Sequence, residues 1–512
     1  MNLIDLIDEN GKCDKKIAHQ YRNSYLTYSE LVNKSDAIAC YLIEKYGTDK
    51  TPIVVYGHKQ HEMLICFLAC VKSGHAYIPI DSSLPYERVK DIIESSNTKA
   101  IFSVGEFNCE INTELNDIEV INLKQIDKLC INYQGVKPDS RYKVKEEETY
   151  YIIYTSGSTG KPKGVQITLA CLESFVKWGL QLININDDKS YVFMNQAPFS
   201  FDLSVMDLYL SLASGSTLFS IDKAMIANLR ELFEQLKQSK INVWVSTPSF
   251  AEMCLVDNSF NRELLKEVET FLFCGEVLTN SCVNKLHERF SNSKVINLYG
   301  PTEATVAVTA VTITEEINET INPLPVGYVK EDCNIFIVDS EGKKVNEGEK
   351  GEIIIAGDSV SIGYYNNEEQ TEKVFSKILL DNVEKRYYKT GDEGYLLDGM
   401  LHYCGRIDFQ IKLNGFRIEL EDIESNLRKV NLIKNAAVLP VMKDGKIQQL
   451  AAVVTLKEPS KEKEFKIGLA IKNDLKKLLP EYMIPRKIVI KDSLPMTVNG
   501  KVDRRGLMEE IK

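Results

Sequence analysis

The chain has 512 residues, 44% of them hydrophobic, with 62 basic and 73 acidic side chains and a net charge of −11. That length suggests roughly three or four domain-sized units with apolar residues enough for substantial cores. Both signs of charge are spread along the chain, which argues against a nucleic-acid surface. The start, Met1 to Asn10, has neither the basic residues nor the apolar run of a signal peptide. The apolar run Met63 to Val71 is far short of the about 20 residues a membrane span needs. A soluble cytoplasmic protein is expected. The twelve cysteines form no Cys-x-x-Cys pair and no zinc-ligand spacing, so reduced structural thiols are expected. Cys66 and Cys70 lie four apart in an apolar run and behave as small core residues on one helix face.

The first hundred residues alternate helix and strand patterns. Ser29 is a plausible N-cap for a helix with Leu31, Ile38 and Leu42 on one face. Ile53 to Tyr56 reads as a buried strand and Met63 to Lys72 as a buried helix. Gly74 to Asp81 turns into a strand, Tyr-x-Pro-x-Asp, which Pro85 ends. This alternation predicts an α/β domain with largely parallel sheets.

Tyr151 to Tyr154 is a short apolar strand that breaks into Thr155-Ser156-Gly157-Ser158-Thr159-Gly160-Lys161-Pro162-Lys163-Gly164. Glycines without a Cβ let the backbone approach a ligand. Successive N–H groups, hydroxyls and two lysines make an anion-binding concavity, so the loop is built to hold phosphate. A Walker A loop would need Ser or Thr after Gly160-Lys161, and Pro162 stands there instead. A plain Gly/Ser linker would seldom carry two lysines directly after a hydrophobic strand.

Asn195-Gln196-Ala197-Pro198-Phe199-Ser200-Phe201-Asp202 leads into a helical pattern. A carboxylate in so apolar a run is costly to bury without a cationic partner. Either Ser200 or Asp202 caps that helix, or Asp202 awaits a cation. Asp207 reads as structural. Phe271 to Gly275 and Val295 to Glu303 are strand-to-loop transitions of the kind that bind ligands at the carboxyl ends of parallel strands. Tyr299 offers either a face for adenine or a core aromatic. Thr302 and Glu303 carry the hard oxygens Mg²⁺ prefers.

From about Ile321 short strands broken by glycines predict a β-rich subdomain. In it, Tyr388-Lys389-Thr390-Gly391-Asp392 places a carboxylate just after a strand, where two oxygens suit a pair of hydroxyls. Gly405 to Glu419 reads as a charged hairpin. Beyond it lie strands near 436–441 and 450–456 and a helix over roughly 463–478. Near the end, Asn499-Gly500-Lys501 puts a lysine at the tip of an Asn-Gly turn. Exposure statistics alone make it an ordinary surface lysine.

Together these stretches, from about residue 26 to 504 and in the same order, resemble the motifs of the adenylate-forming superfamily, which holds amino-acid adenylation domains, acyl-CoA synthetases and luciferases. The resemblance implies an N-terminal adenylation core over 1–407 and a mobile α+β domain over 408–512, with Asp408 as hinge. It implies ATP contacts from Thr155, Ser156, Gly157, Ser158, Thr159, Gly160 and Lys163, and from Asn297, Tyr299, Gly300 and Thr302. Asp392 would take the ribose and Arg406 the ribose or a phosphate, while Thr302 and Glu303 would hold Mg²⁺. Asp202 would pair with an amino-acid ammonium in a pocket shared with Cys274, Gly275 and Val306. Lys501 would be the adenylation lysine, a compact charge bridging substrate carboxylate and α-phosphate.

The runs around Asp202 and Phe273-Cys274-Gly275-Glu276-Val277-Leu278 look like those of family members that activate D-alanine with ATP. Such enzymes load it on the phosphopantetheine thiol of a D-alanyl carrier protein, for teichoic acid D-alanylation. No phosphopantetheine attachment motif follows Lys501, so a separate carrier is expected, with a monomeric enzyme and no nucleic-acid partner. Cys274 would then fill the side of the pocket that distinguishes the alanine enantiomers; otherwise it is a buried structural thiol. Another small amino acid as substrate, or an acyl-CoA synthetase, is the alternative. Asp202 argues against the latter, because fatty and aryl acids have no ammonium. A nucleotide-binding protein without catalysis would show gaps in the set Lys163, Glu303, Asp392 and Lys501, and all four are present.

Overall fold

A computed structural model describes residues 2–107, 118–157, 160–185, 189–443, 446–459, 462–495 and 502–511. The chain forms two compact units. The larger comprises Met1–Ser82, Ser96–Ile153 and Gly164–Ile407; the smaller comprises Ser83–Ser95, Tyr154–Lys163 and Asp408–Lys512. Two segments that a simple division at residue 407 would leave in the larger domain therefore pack in the smaller unit. The Arg88–Asp422 ion pair at 3.2 Å is one reason.

The larger unit is built on two sheets whose central strands are parallel. In the nine-stranded sheet, Lys294–Tyr299, Thr270–Phe273, Val243–Ser246, Val192–Asn195, Thr217–Ser220 and Ile17–Tyr21 lie side by side in parallel. Antiparallel strands close both edges. In the six-stranded sheet, Ile53–Gly57 runs parallel to Tyr77–Asp81 and to Ala100–Ser103. These strands read as continuous apolar runs because helices cover both faces of such sheets. The helix His61–Lys72 is buried almost throughout, with Cys66 and Cys70 inside the core. The described cysteines are free thiols.

The helix Tyr28–Tyr46 is capped by Thr27 rather than by Ser29. Thr27 wins because Glu30 stands at the third helical position. The threonine hydroxyl accepts from the Glu30 N–H and the Glu30 carboxylate accepts from the Thr27 N–H, which closes a capping box. Leu31, Ile38 and Leu42 are fully buried on the helix face the spacing predicts.

The third layer of the larger unit is a five-stranded antiparallel sheet, with Val383–Leu397 between Gly351–Gly357 and Phe375–Leu380 and also paired with Met400–Arg406. Asp392 therefore lies within a strand rather than just after one. The smaller unit holds the hairpin Gln410–Leu413/Phe416–Glu419, turned at Asn414 (φ 52°) and Gly415 (φ 81°). Positive φ at both positions is why an Asn-Gly pair suits this two-residue turn. A three-stranded sheet, Ile433–Lys443, Lys446–Leu456 and Lys487–Ile490, packs with the helices Leu420–Lys429 and Glu464–Leu478 around Ile418, Ile423, Leu427 and Ile471. No helix among the described residues is long and apolar enough to cross a membrane.

Candidate active site

In the larger unit, Asp202, Cys274 and Thr302 lie beyond the carboxyl ends of parallel strands, where loops carry ligand-binding groups. Asp202 occupies the N-cap position of the helix Leu203–Ala213, but it has helical φ and ψ (−61°, −31°) and its side chain makes no cap hydrogen bond. Ser200 lies outside the helix, so neither residue caps it. The Asp202 carboxylate instead accepts from the Thr302 hydroxyl at 2.6 Å. Thr302 opens the 3-10 turn Thr302–Ala304, beyond the strand Lys294–Tyr299. Glu303 is fully buried, and its Oε1 accepts from the Tyr364 hydroxyl at 2.8 Å.

The turn then folds back on itself. Thr305 (φ 57°) and Val306 (φ 69°) both adopt left-handed conformations, which are outliers for β-branched residues and cost about 1–3 kcal/mol each. They are held there by Thr305 Oγ1 donating to the Ser359 carbonyl at 2.7 Å and by the Ala307 N–H on the Thr305 carbonyl at 2.8 Å. Gly300 is required at the start of this loop, because a Cβ there would lie 2.5 Å from the Ala307 Cα. The result aims the Val306 carbonyl at Cys274, whose thiol donates to it at 3.7 Å. Cys274 is 3% exposed and follows the strand Thr270–Phe273, with Gly275 at φ 91° completing the turn.

A second cluster joins Tyr299, Asp392 and Arg406. The Tyr299 hydroxyl donates to Asp392 Oδ2 at 2.6 Å, and Arg406 Nη1 donates to Asp392 Oδ1 at 2.9 Å and to the Thr390 carbonyl at 2.7 Å. Asp392 and Arg406 face each other across the ladder. Tyr299 is 4% exposed and packs in an apolar cluster with Val308, Ile353 and Ile355. It stands here as a core aromatic with a polar tip rather than an open platform. Burial pushes its phenol well above the usual tyrosine range, and the Asp392 charge adds to this. Asn297 Nδ2 donates to the Pro325 carbonyl at 2.8 Å, while its buried Oδ1 has no hydrogen-bond partner. A buried acceptor without a donor is uncommon in a folded protein.

The glycine-rich loop belongs to the smaller unit. Gly160 adopts φ 80°, its N–H donates to the Gly157 carbonyl at 3.0 Å, and a Cβ on Gly157 would lie 2.2 Å from the Lys161 carbonyl oxygen. The Ser156 hydroxyl donates to the Arg417 carbonyl at 2.9 Å and accepts from the Glu419 N–H at 3.3 Å. Lys163 Nζ lies 3.9 Å from Glu419 Oε1. Burial raises the Glu419 carboxyl, with Lys163 and Arg417 opposing the shift. Thr155 Oγ1 is buried without a partner. Asp408 Oδ1 accepts from the Gln410 N–H at 3.0 Å, a local turn at the start of the smaller unit's C-terminal segment. Ser158, Thr159 and Lys501 lie outside the described residues.

Two pairings were not foreseen from the sequence. Tyr364 reaches Glu303 from a loop remote in the chain, and Thr302 was expected at Mg²⁺ rather than on Asp202. Both bonds depend on tertiary placement, which local pattern does not carry.

The AMP-binding enzyme family model matches residues 8–365, and the AMP-binding enzyme C-terminal domain model matches residues 422–501. The D-alanine–D-alanyl carrier protein ligase of Bacillus cytotoxicus is 51% identical over 512 residues, covering 100% of both chains. Among solved structures, the Vibrio cholerae adenylation domain AlmE, in complex with glycyl-adenosine-5'-phosphate, superposes with a TM-score of 0.80 at 21% identity, covering 100% of this chain and 97% of that one. An NRPS protein containing adenylation and PCP domains gives 0.82 at 22% identity, covering 99% and 84%. At those identities the structures speak for the fold. The chain belongs to the AMP-binding enzymes, a ligase family, and within it to the group of D-alanine–D-alanyl carrier protein ligases.

Proposed function

We propose that the protein activates D-alanine with ATP and transfers it to the phosphopantetheine thiol of a separate D-alanyl carrier protein. The product would feed D-alanylation of teichoic acids. The observation that carries the amino-acid assignment is Asp202, a carboxylate at a helix start that caps nothing and is oriented by Thr302. A group held in that way suits a substrate ammonium and has no use for a fatty or aryl acid.

In the first step an oxygen of the D-alanine carboxylate forms a bond to the α-phosphorus of ATP, and the bond to pyrophosphate breaks. The nucleophile is already an anion at neutral pH, so positioning and charge relief suffice and no general base is needed. Asp202 and the Val306 carbonyl would hold the ammonium, and Lys501 would bridge the carboxylate and the α-phosphate. The Ser156 hydroxyl and Lys163 would exchange their bonds to the Arg417–Glu419 segment for phosphate oxygens. Asn297 Oδ1, now without a donor, would accept from the adenine amino group, and Asp392 with Arg406 would meet the ribose.

Mg²⁺ fits the residues present as an ion carried largely by phosphate and water. Glu303 supplies one carboxylate and Thr302 one hydroxyl, and among the described residues no group of three or more His, Cys, Asp or Glu could cage a metal. When bound, it would relieve charge on the phosphates. In the second step the carrier thiol adds to the acyl carbon, AMP leaves with its electron pair, and the thiol proton passes to solvent. Between the steps, residues 408–512 would turn about Asp408, withdrawing Lys501 and bringing in the Gly415 hairpin. ATP as co-substrate implies a cytoplasmic enzyme, and the protein is proposed to act as a monomer.

Amino-acid-dependent ATP–pyrophosphate exchange across D- and L-amino acids tests this reading. D-Alanine should drive exchange best, and preference for a fatty or aromatic acid overturns it.

A further inference from the structure

The loop that carries Asp202 is fastened from inside by a polar residue to which the sequence assigned no role. Asn195 ends the strand Val192–Asn195, and its side chain makes four bonds. Its Oδ1 accepts from Lys59 Nζ at 2.5 Å and from Ser220 Oγ at 2.8 Å. Its Nδ2 donates to Asp207 Oδ1 at 2.9 Å and to the Ala197 carbonyl at 3.2 Å. Lys59 donates to that same Ala197 carbonyl and lies 4.6 Å from the centre of the Phe199 ring. Lys59, Asn195, Asp207 and Ser220 are each 0% exposed.

Ala197 precedes Asp202 on the loop, and Asp207 follows it on the helix Leu203–Ala213. Asn195 thus ties both flanks of Asp202 to one fixed point at the strand end. Stability alone does not explain such a cluster. Desolvating a lysine and a carboxylate costs several kcal/mol each, and apolar side chains of similar volume often serve at least as well. What the cluster supplies is geometry. A misplacement of about 1 Å at a reacting or binding group can cost on the order of 100-fold.

We propose that Asn195 is a positioning residue for Asp202, bridging Lys59 and Asp207 so that the Asp202 carboxylate is set at the amino-acid subsite before substrate arrives. This rests on the reading of Asp202 as the ammonium's partner. Asn195→Ala removes the bridge. Asp207→Leu, nearly isosteric, removes one anchor and also the carboxylate that supports the buried Lys59 ammonium; Asp207→Asn removes the same charge but keeps an acceptor for the Asn195 amide, so the pair separates anchor from charge.

The test is D-alanine-dependent ATP–pyrophosphate exchange on the full chain, with thermal unfolding measured alongside. Asn195→Ala and Asp207→Leu should raise KM for D-alanine on the order of 10-fold or more, with KM for ATP nearly unchanged. Asp207→Asn should restore KM for D-alanine to near the wild-type value. If Asn195→Ala does not fold, the two Asp207 variants decide. A lower Tm or kcat with unchanged KM for D-alanine, in whichever variant folds, makes the cluster merely structural and overturns the proposal. Asp202→Ala runs in parallel. A normal KM there overturns the Asp202 reading and this proposal with it. A raised KM there beside a normal one for Asn195→Ala overturns this proposal alone.

Discussion

The Thr302 hydroxyl donates to Asp202 Oδ2 at 2.6 Å, linking the end of one parallel strand's loop to the start of a helix far away in the chain. The bond orients the carboxylate through a neutral donor, and the proposed function places the substrate ammonium against it. Removing one partner of a desolvated ion pair costs about 3–5 kcal/mol. Asp202 is only part-buried before substrate binds, so the low end applies. Asp202→Asn, which can still accept from Thr302, should raise KM for D-alanine on the order of 100-fold and leave KM for ATP nearly unchanged. Normal use of D-alanine by this variant would return Asp202 to a structural role.

Lys59 carries a pH signature. Burial pulls its ammonium down to about 7, against the opposing charges of Asp207, Asp81 and Asp222. The folded value lies below the unfolded value of about 10.4, so between about pH 7 and about pH 10 the unfolded chain binds more protons. Stability from this residue therefore rises with pH across that window, and below about 7 the full penalty is present. Lys59→Met lacks the group, so it should gain most over wild type at or below about pH 7 and lose that advantage towards pH 10. Urea midpoints for the two proteins across that range check this. Parallel curves would show that Lys59 does not titrate as the burial implies.

Much of the fold was legible because its signals are local. The buried strands are continuous apolar runs, and the Asn414-Gly415 pair turns its hairpin with positive φ at both residues. The site was legible in part. Loops such as 155–164 and 299–303 announce themselves by glycine and hydroxyl content. Asn195 and Lys59 did not, because each looks ordinary until the strand end and the loop after Gly57 are brought together. Asp392 was misplaced for a related reason. Thr390-Gly391-Asp392 reads as a strand end, yet pairing with Arg406 carries the strand Val383–Leu397 straight through it.

Lys501 lies outside the described residues, and its role is proposed from the Asn-Gly-Lys motif. Lys501→Ala should abolish adenylate formation. It should spare ATP binding and thioester formation from supplied D-alanyl-adenylate. Single-turnover assays of each half-reaction separate the two, and equal loss of both would remove Lys501 from its proposed place in the first step.

The last prediction concerns handedness. Alanine presents ammonium, carboxylate, methyl and hydrogen. With the ammonium at Asp202 and the carboxylate at Lys501, the enantiomers differ mainly in which side of the pocket receives the methyl group. On the proposed reading Cys274 would define one side; its thiol donates to the Val306 carbonyl at 3.7 Å. That carbonyl is held in place by two consecutive left-handed β-branched residues, Thr305 and Val306. Such a wall would be stiff on its backbone side, with its thickness set by one sulfur atom. Steric discrimination of a single methyl is worth about 1–3 kcal/mol, or roughly 10–200-fold, so selectivity should be finite and easily eroded. Cys274→Ala removes the sulfur, opens room for the other methyl, and should raise kcat/KM for L-alanine more than for D-alanine. Cys274→Ser, similar in shape, should keep most of the preference. The measurement is the D-to-L ratio of kcat/KM for wild type and both variants, and a ratio unchanged in Cys274→Ala would mean that handedness is read elsewhere in the pocket.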